Sequence, residues 1–273
     1  MATEDDPGRA DPPRGVWLEA AGKVLDEIAR TQMDAIAATA ELCATAIAAG
    51  GLVHLFGTGH SRIPLEEMFP RYGSYPGFHP IAELSMTYHT QIVGANGQRQ
   101  AMFIERTPGL AEVILENFTF GPDDIMIIFS AGGRTAVPIE MAIGAQRRGL
   151  PVVAVTSLAS SNAGASEHAS GTRLYDHADI VIDLCTPAGD ALVELDGVDT
   201  PIGPGSTAAN AAIVNEIKVQ TAALLLAVDA LPPVITSSAV VGSERSAELF
   251  AAAYTEHARR MADTLRPDAD SGP

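Results

Sequence analysis

Short apolar runs alternate along the chain with longer stretches in which apolar positions recur at helical spacing. Residues 52–56, 125–129 and 152–155 are almost wholly apolar and end in turns, so they read as strands buried on both faces; 180–184 is a fourth. Between and after them, 62–72, 110–118, 136–148 and 208–231 carry helical patterns. Ahead of the first strand, Trp17, Ala21, Val24, Leu25, Ile28, Ile36, Leu42 and Ile47 keep a helical stripe. It predicts one long helix over 16–49, or two in sequence, stopped by Gly50-Gly51. This alternation predicts an α/β fold: a three-layer αβα sandwich with a mostly parallel, flavodoxin-like sheet and a long N-terminal helix. One domain is expected over 15–263. The polar ends, 1–14 and 264–273, read as disordered tails.

In a parallel sheet, ligands bind at the carboxyl ends of the strands, so the loops there are where chemistry is sought. After the first strand comes Gly57-Thr58-Gly59-His60-Ser61, with glycines for a tight turn and a serine at a helix start. The bland alternative is a strand-to-helix turn with a serine cap. After the second comes Ser130-Ala131-Gly132-Gly133-Arg134-Thr135, in which hydroxyls bracket two glycines. Two such loops in one sheet form an uncharged anion cradle; the expected contacts are Gly57, Thr58, Gly59, His60, Ser61, Ser130, Gly133 and Thr135. The third strand ends in Thr156-Ser157, and Gly203-Pro204-Gly205-Ser206-Thr207 precedes the last apolar helix. A dinucleotide fingerprint would need glycine where Arg62 stands, and a hydrolase elbow would need it where Ile63 stands. No Gly-Lys followed by Ser or Thr is present for a Walker A loop.

Composition narrows the partners. A net charge of −17 disfavours nucleic acid but does not forbid a small phosphorylated ligand held by local donors. Cys43 and Cys185 have no redox or metal spacing, and the N-terminus has no signal-like pattern, so a reduced cytoplasmic protein is expected. The most apolar window, 219–231, contains Asp229 and is too short to span a bilayer, so no membrane partner is expected. No metal spacing is evident, and no cofactor is expected.

Together these loops resemble the SIS (sugar isomerase) domain family, whose members bind phosphosugars. Ser61 matches the serine of the family's Gly-x-Gly-x-Ser loop. Ser130 and Thr135 match the outer hydroxyls of its Ser-x-Ser-Gly-x-Ser/Thr loop, and Gly132 departs from that pattern. Gly205-Ser206-Thr207 resembles a loop of N-acetylmuramic acid 6-phosphate etherases. Segments 56–61 and 187–194 are similar to those of single-domain SIS proteins of about this length. The resemblance implies phosphate contacts by Ser206 and Thr207 as well, and a homodimer or higher homo-oligomer.

It also implies a glutamate on the helix after Ser61 that moves a proton between carbons. Glu66 and Glu67 are both available there, and Glu67 matches better. Six residues at about 1.5 Å rise place Glu67 roughly 9 Å along the axis from Ser61, the span of an extended phosphosugar. An acidic first turn favoured by the helix dipole is the structural alternative. His89 and Glu216 are candidate assisting groups. His54 reads as a core histidine, Asp190 as a turn residue, Lys218 as pointing away from Glu216, and Glu105-Arg106 as a solvated face. The resulting expectation is a phosphosugar isomerase or etherase-type lyase; the alternative is a sensor that binds phosphosugars without chemistry.

Overall fold

The computed structural model describes residues 13–83, 86 and 95–265. Five strands form one parallel sheet: β1 (Val53–Gly57), β2 (Phe78–Ile81), β3 (Ile125–Phe129), β4 (Val152–Thr156) and β5 (Ile180–Asp183), in the order β2-β1-β3-β4-β5. A short antiparallel pair, β6 (Ala191–Val193) and β7 (Ile202–Pro204), stands apart from it. Successive side chains of a strand point to opposite faces, which divides the core in two. Val53, Leu55, Ile125, Ile127, Phe129, Val153 and Val155 face one cluster; Phe56, Met126, Ile128, Val152 and Ala154 face the other. Burial on both faces explains why these strands read as continuous apolar runs.

One face is covered by α1 (Val16–Thr31), α2 (Met33–Ala48), α3 (Ile63–Met68) and a 22-residue helix, α8 (Ser206–Ala227). The other is covered chiefly by α5 (Leu110–Leu115) and α6 (Ala136–Arg147). The predicted N-terminal helix is thus two helices in sequence. At the break, the Gln32 side chain accepts a hydrogen bond from Asp183 N–H at 2.9 Å, fastening the helix pair to the edge strand β5. Further helices are α4 (Ala95–Ile104), α7 (Leu158–Asn162), α9 (Ser238–Val241) and α10 (Ser243–Thr264).

Three expectations change. Strand β2 carries no apolar run, because Phe78-His79-Pro80-Ile81 includes a proline that only an edge position tolerates. The helix expected over 62–72 is a 3₁₀ turn (Gly59–Arg62) followed by α3, which ends before Pro70. Helix α10, to which the sequence reading assigns nothing, reaches one residue into the expected tail. There Thr264 is buried and its carbonyl accepts from Thr119 N–H at 2.7 Å. Arg260 of α10 donates to the Ile47 and Gly51 carbonyls, both at 2.9 Å, and so closes the turn between α2 and β1.

The strand order has one consequence for function. The chain leaves β1 toward β2 on one side and leaves β3 toward β4 on the other. The loops after β1 and β3 diverge, and a crevice opens between them at the topological switch point.

Candidate functional site

That crevice is a cleft of about 210 Å³ lined by Thr58 and Ser61 after β1, by residues 130–135 after β3, and by Glu105, Arg106 and Glu167. Two glycines let the backbone come this close. A Cβ on Gly57 would lie 2.2 Å from the Ser61 carbonyl oxygen. One on Gly133, whose φ is +57°, would lie 2.8 Å from the hydroxyls of Thr156 and Ser161. Ser130 Oγ accepts from Gly133 N–H at 3.1 Å, which leaves its own proton to donate. Thr135 stands at the N-cap of α6 but makes no side-chain hydrogen bond to that helix. Gly132 faces open space, so the missing hydroxyl there is not a steric necessity.

The hydroxyls of the third strand end have a different task. Thr156 Oγ1 lies 3.0 Å from Ser161 Oγ, which donates to the Gly132 carbonyl at 2.9 Å. Ser157 caps α7 by accepting from Ser160 N–H at 3.1 Å. They hold the 130–135 loop in shape from behind.

The charged residues of the cleft are what the sequence reading missed. Arg134 Nε is buried with no hydrogen-bond partner among the described residues, an uncommon state for a guanidinium away from water. An arginine inside a glycine- and hydroxyl-rich loop is the signal that marks it. Arg106 is exposed as expected of a solvated face, but Glu105 is half-buried, and both are engaged across the cleft. Glu105 Oε2 accepts from Thr58 Oγ1 at 2.8 Å, and Arg106 Nε donates to Glu167 at 2.6 Å. The Glu105 carbonyl also accepts from Val137 N–H at 3.0 Å, in the first turn of α6. Glu105 comes from the end of α4 and Glu167 from the loop after α7, so no local motif links them.

The other sequence candidates lie elsewhere. Gly57, Gly59 and His60 are not among the lining residues, and His60 is exposed. Ser206 and Thr207 are also outside the cleft wall. Ser206 Oγ donates to Asp190 at 2.6 Å, and the same carboxylate accepts from Ser206 N–H at 2.7 Å and Gly205 N–H at 3.2 Å. Asp190 is therefore more than a turn residue: an anion from this chain already sits at the start of α8. His89 lies outside the described residues.

Glu67 faces α8, away from the cleft lining. Its Oε1 accepts from Asn215 Nδ2 at 3.0 Å, its backbone carbonyl accepts from Lys218 Nζ at 2.8 Å, and Arg71 pairs with its other oxygen. Lys218 does point away from Glu216, and here it has a partner across the helix interface. Burial lowers the Lys218 pKa, against the pull of Glu67. Glu216 accepts from Gln220 at 2.8 Å. Glu66, on the opposite side of α3, lines a separate cleft with Arg62 and Leu65. Among the described residues no group of His, Cys, Asp and Glu is arranged to hold a metal ion, and no helix is long and apolar enough to cross a membrane.

The fold and the site define a doubly wound α/β protein with a cleft at its switch point lined by glycines, hydroxyls and charged side chains. A family profile described as SIS domain matches residues 16–157. A UPF0309 protein of Streptomyces coelicolor is 34% identical over 232 residues, covering 84% of this chain and 90% of that one. Another, from Thermoanaerobacter pseudethanolicus, is 32% identical over 232 residues, covering 84% and 92%. This chain belongs to the SIS-domain family, and both of these relatives carry the name UPF0309. Among solved structures, a phosphoheptose isomerase from Francisella tularensis superposes with a TM-score of 0.49 at 16% identity, over 75% of this chain and 94% of that one.

Proposed function

We propose that this protein binds a phosphosugar, with the phosphate in the cleft between the loops after β1 and β3. The observation that carries the reading is a set of donors on the lining residues with no acceptor among the described residues. Ser130 keeps its proton, Thr135 leaves its helix uncapped, and Arg134 Nε has no described partner. Buried or half-buried polar groups left in that state cost stability unless a ligand completes them. A tetrahedral anion with several acceptor oxygens fits neutral hydroxyls plus one guanidinium. Membership of the SIS family supports the same ligand class. In a thermal-shift experiment a phosphosugar should raise the melting temperature, while the same sugar without phosphate should not. Equal responses to the two would refute the reading.

A second reading adds isomerase-type chemistry through Glu67, and one observation favours it. Asn215 and Arg71 hold its carboxylate, Lys218 holds its backbone carbonyl, and yet a fifth of the side chain is exposed. A carboxylate fixed in place and partly open to solvent can serve as a general base, and because Glu67 faces α8 and not the cleft lining, this reading requires the sugar to extend from the phosphate past α3 toward α8. Solvent deuterium should then enter a bound phosphosugar, and Glu67→Gln should slow that exchange about a hundredfold while leaving binding intact. A wild-type protein that binds phosphosugars and exchanges no proton is a sensor.

A further inference from the structure

Two carboxylates stand in the wall of a cleft otherwise built for an anion. We infer that one of them, Glu105, is a ligand-contacting specificity residue: it accepts hydrogen bonds from the hydroxyl or amino donors of the sugar beside the phosphate. This rests on the phosphosugar reading above and deepens it. Glu105 Oε2 accepts from Thr58 Oγ1 at 2.8 Å, and Thr58 shares the cleft wall with Ser61, Ser130 and Thr135. Glu105 is thereby tied at its side chain to the loop after β1. At its carbonyl it is tied to Val137 N–H, in the first turn of the helix that follows the loop after β3. It therefore bridges both halves of the anion cradle. Four-fifths of its side chain is covered.

Charge makes such a placement costly for a site that serves phosphate alone. A carboxylate close to a bound dianion repels it, strongly so where burial lowers the effective dielectric. Arg106 offsets part of this, but its guanidinium is shared between Glu167 at 2.6 Å and Glu105 at 3.3 Å. Among the described residues, the four charged side chains of the wall, Glu105, Arg106, Arg134 and Glu167, sum to zero. Such a wall suits a ligand that carries donors as well as an anion. Polyol hydroxyls or an ammonium group next to a phosphate meet that description, and an inorganic phosphate or a polyphosphate does not.

The inference predicts effects of opposite sign from one substitution. Glu105→Gln keeps the shape and a carbonyl acceptor for Thr58 but removes the charge. Calorimetric titration with inorganic phosphate should give binding about tenfold tighter than in the parent. With glucose 6-phosphate and glucosamine 6-phosphate, binding should weaken by roughly ten- to a hundredfold. A loss confined to glucosamine 6-phosphate identifies an ammonium as the partner, and a loss with both identifies hydroxyls. Glu105→Asp, which keeps the charge, should leave phosphate binding near the parent value. If all ligands shift in the same direction in Glu105→Gln, or none shifts, the phosphate site stands and the role of Glu105 is overturned. If phosphate and phosphosugars fail to bind the parent protein, the cleft reading itself falls, and this inference with it.

Discussion

The two ends of the sheet hold clefts of the same size, about 210 Å³ each, and they treat polar groups in opposite ways. At the amino end, Asp124 accepts from Leu52 N–H, Gly121 N–H and the His54 ring, at 2.7, 2.7 and 3.0 Å. His54 in turn meets His79 at 2.8 Å, and the imidazoles sit edge-on to Phe118 and Phe120. Arg260 beside that cleft donates to Glu256 and to two backbone carbonyls. At the carboxyl end, Arg134 Nε is buried without a described partner, and Ser130 and Thr135 have donors to spare. Polar groups that satisfy one another hold a fold together, whereas the spare donors of the carboxyl end are the ones the proposed ligand would complete.

The largest effect expected from this contrast is at the amino end. Asp124→Ala strands two backbone N–H groups and a buried histidine, so it should cost about 3–5 kcal/mol of unfolding free energy in urea titration. Its influence on phosphosugar affinity in whatever protein still folds should be small. An unchanged denaturation midpoint would mean that the chain from Asp124 to His79 is not structural.

Acid should produce the next largest change. Burial, then His54 and His257, push the His79 imidazole from an ordinary 6.5 to about 3, against the pull of Asp124. Above pH 6.5 the ring is neutral in both states and contributes no pH dependence. Between 6.5 and 3 the unfolded chain binds a proton that the folded one refuses, so stability falls as pH falls. Asp124 has the same sign. Burial, the largest single influence, pushes its carboxyl up, but the hydrogen bond and charge of His54 and the hydrogen bonds from Leu52 and Gly121 together hold it below the ordinary 3.8, so stability is lost further as the solution acidifies through that range. A melting temperature that stays flat from pH 7 to pH 4 would contradict this.

The comparison also shows what a sequence can carry. The strands β1, β3 and β4 are legible because burial on both faces makes each a short apolar run bounded by turns, and edge strand β5, though half-buried, keeps the apolar run Ile180-Val181-Ile182. The loops after β1 and β3 are legible because glycine and hydroxyl residues collect where the backbone turns tightly at the strand ends. Edge strand β2 is not, since one neighbour and a proline leave it no pattern. Nor are Glu105 and Glu167. Each reads as a surface acid in its own segment, and only the crossing of α4 and the loop after α7 over the crevice brings them to Thr58 and Arg106. The Asp190–Ser206 contact is lost for the same reason, as a turn carboxylate meets a helix start sixteen residues on. Chemistry confined to one loop can be read along the chain, but chemistry assembled across loops depends on the fold.

The smallest effect sharpens the carboxyl end. A side chain at Gly132 would meet nothing within 4 Å, and its φ lies outside the left-handed region. Gly132→Ser should fold normally and supply one more donor to the cradle, raising phosphosugar affinity up to about tenfold. No gain would indicate that the ligand phosphate sits away from the middle of the 130–135 loop.

The central claim is that Ser61 and Ser130 hold a phosphate at the switch point of the sheet, and titration calorimetry on one variant tests it most directly. The double substitution Ser61→Ala with Ser130→Ala removes a hydroxyl from each loop and disturbs no buried network of the amino end. The double variant should melt somewhat lower without ligand, because Ser130→Ala leaves Gly133 N–H without its acceptor, and its phosphosugar affinity should be at least a hundredfold below that of the parent, each lost bond to a charged ligand contributing roughly ten- to a hundredfold. A double variant that binds the phosphosugar as tightly as the parent would contradict it.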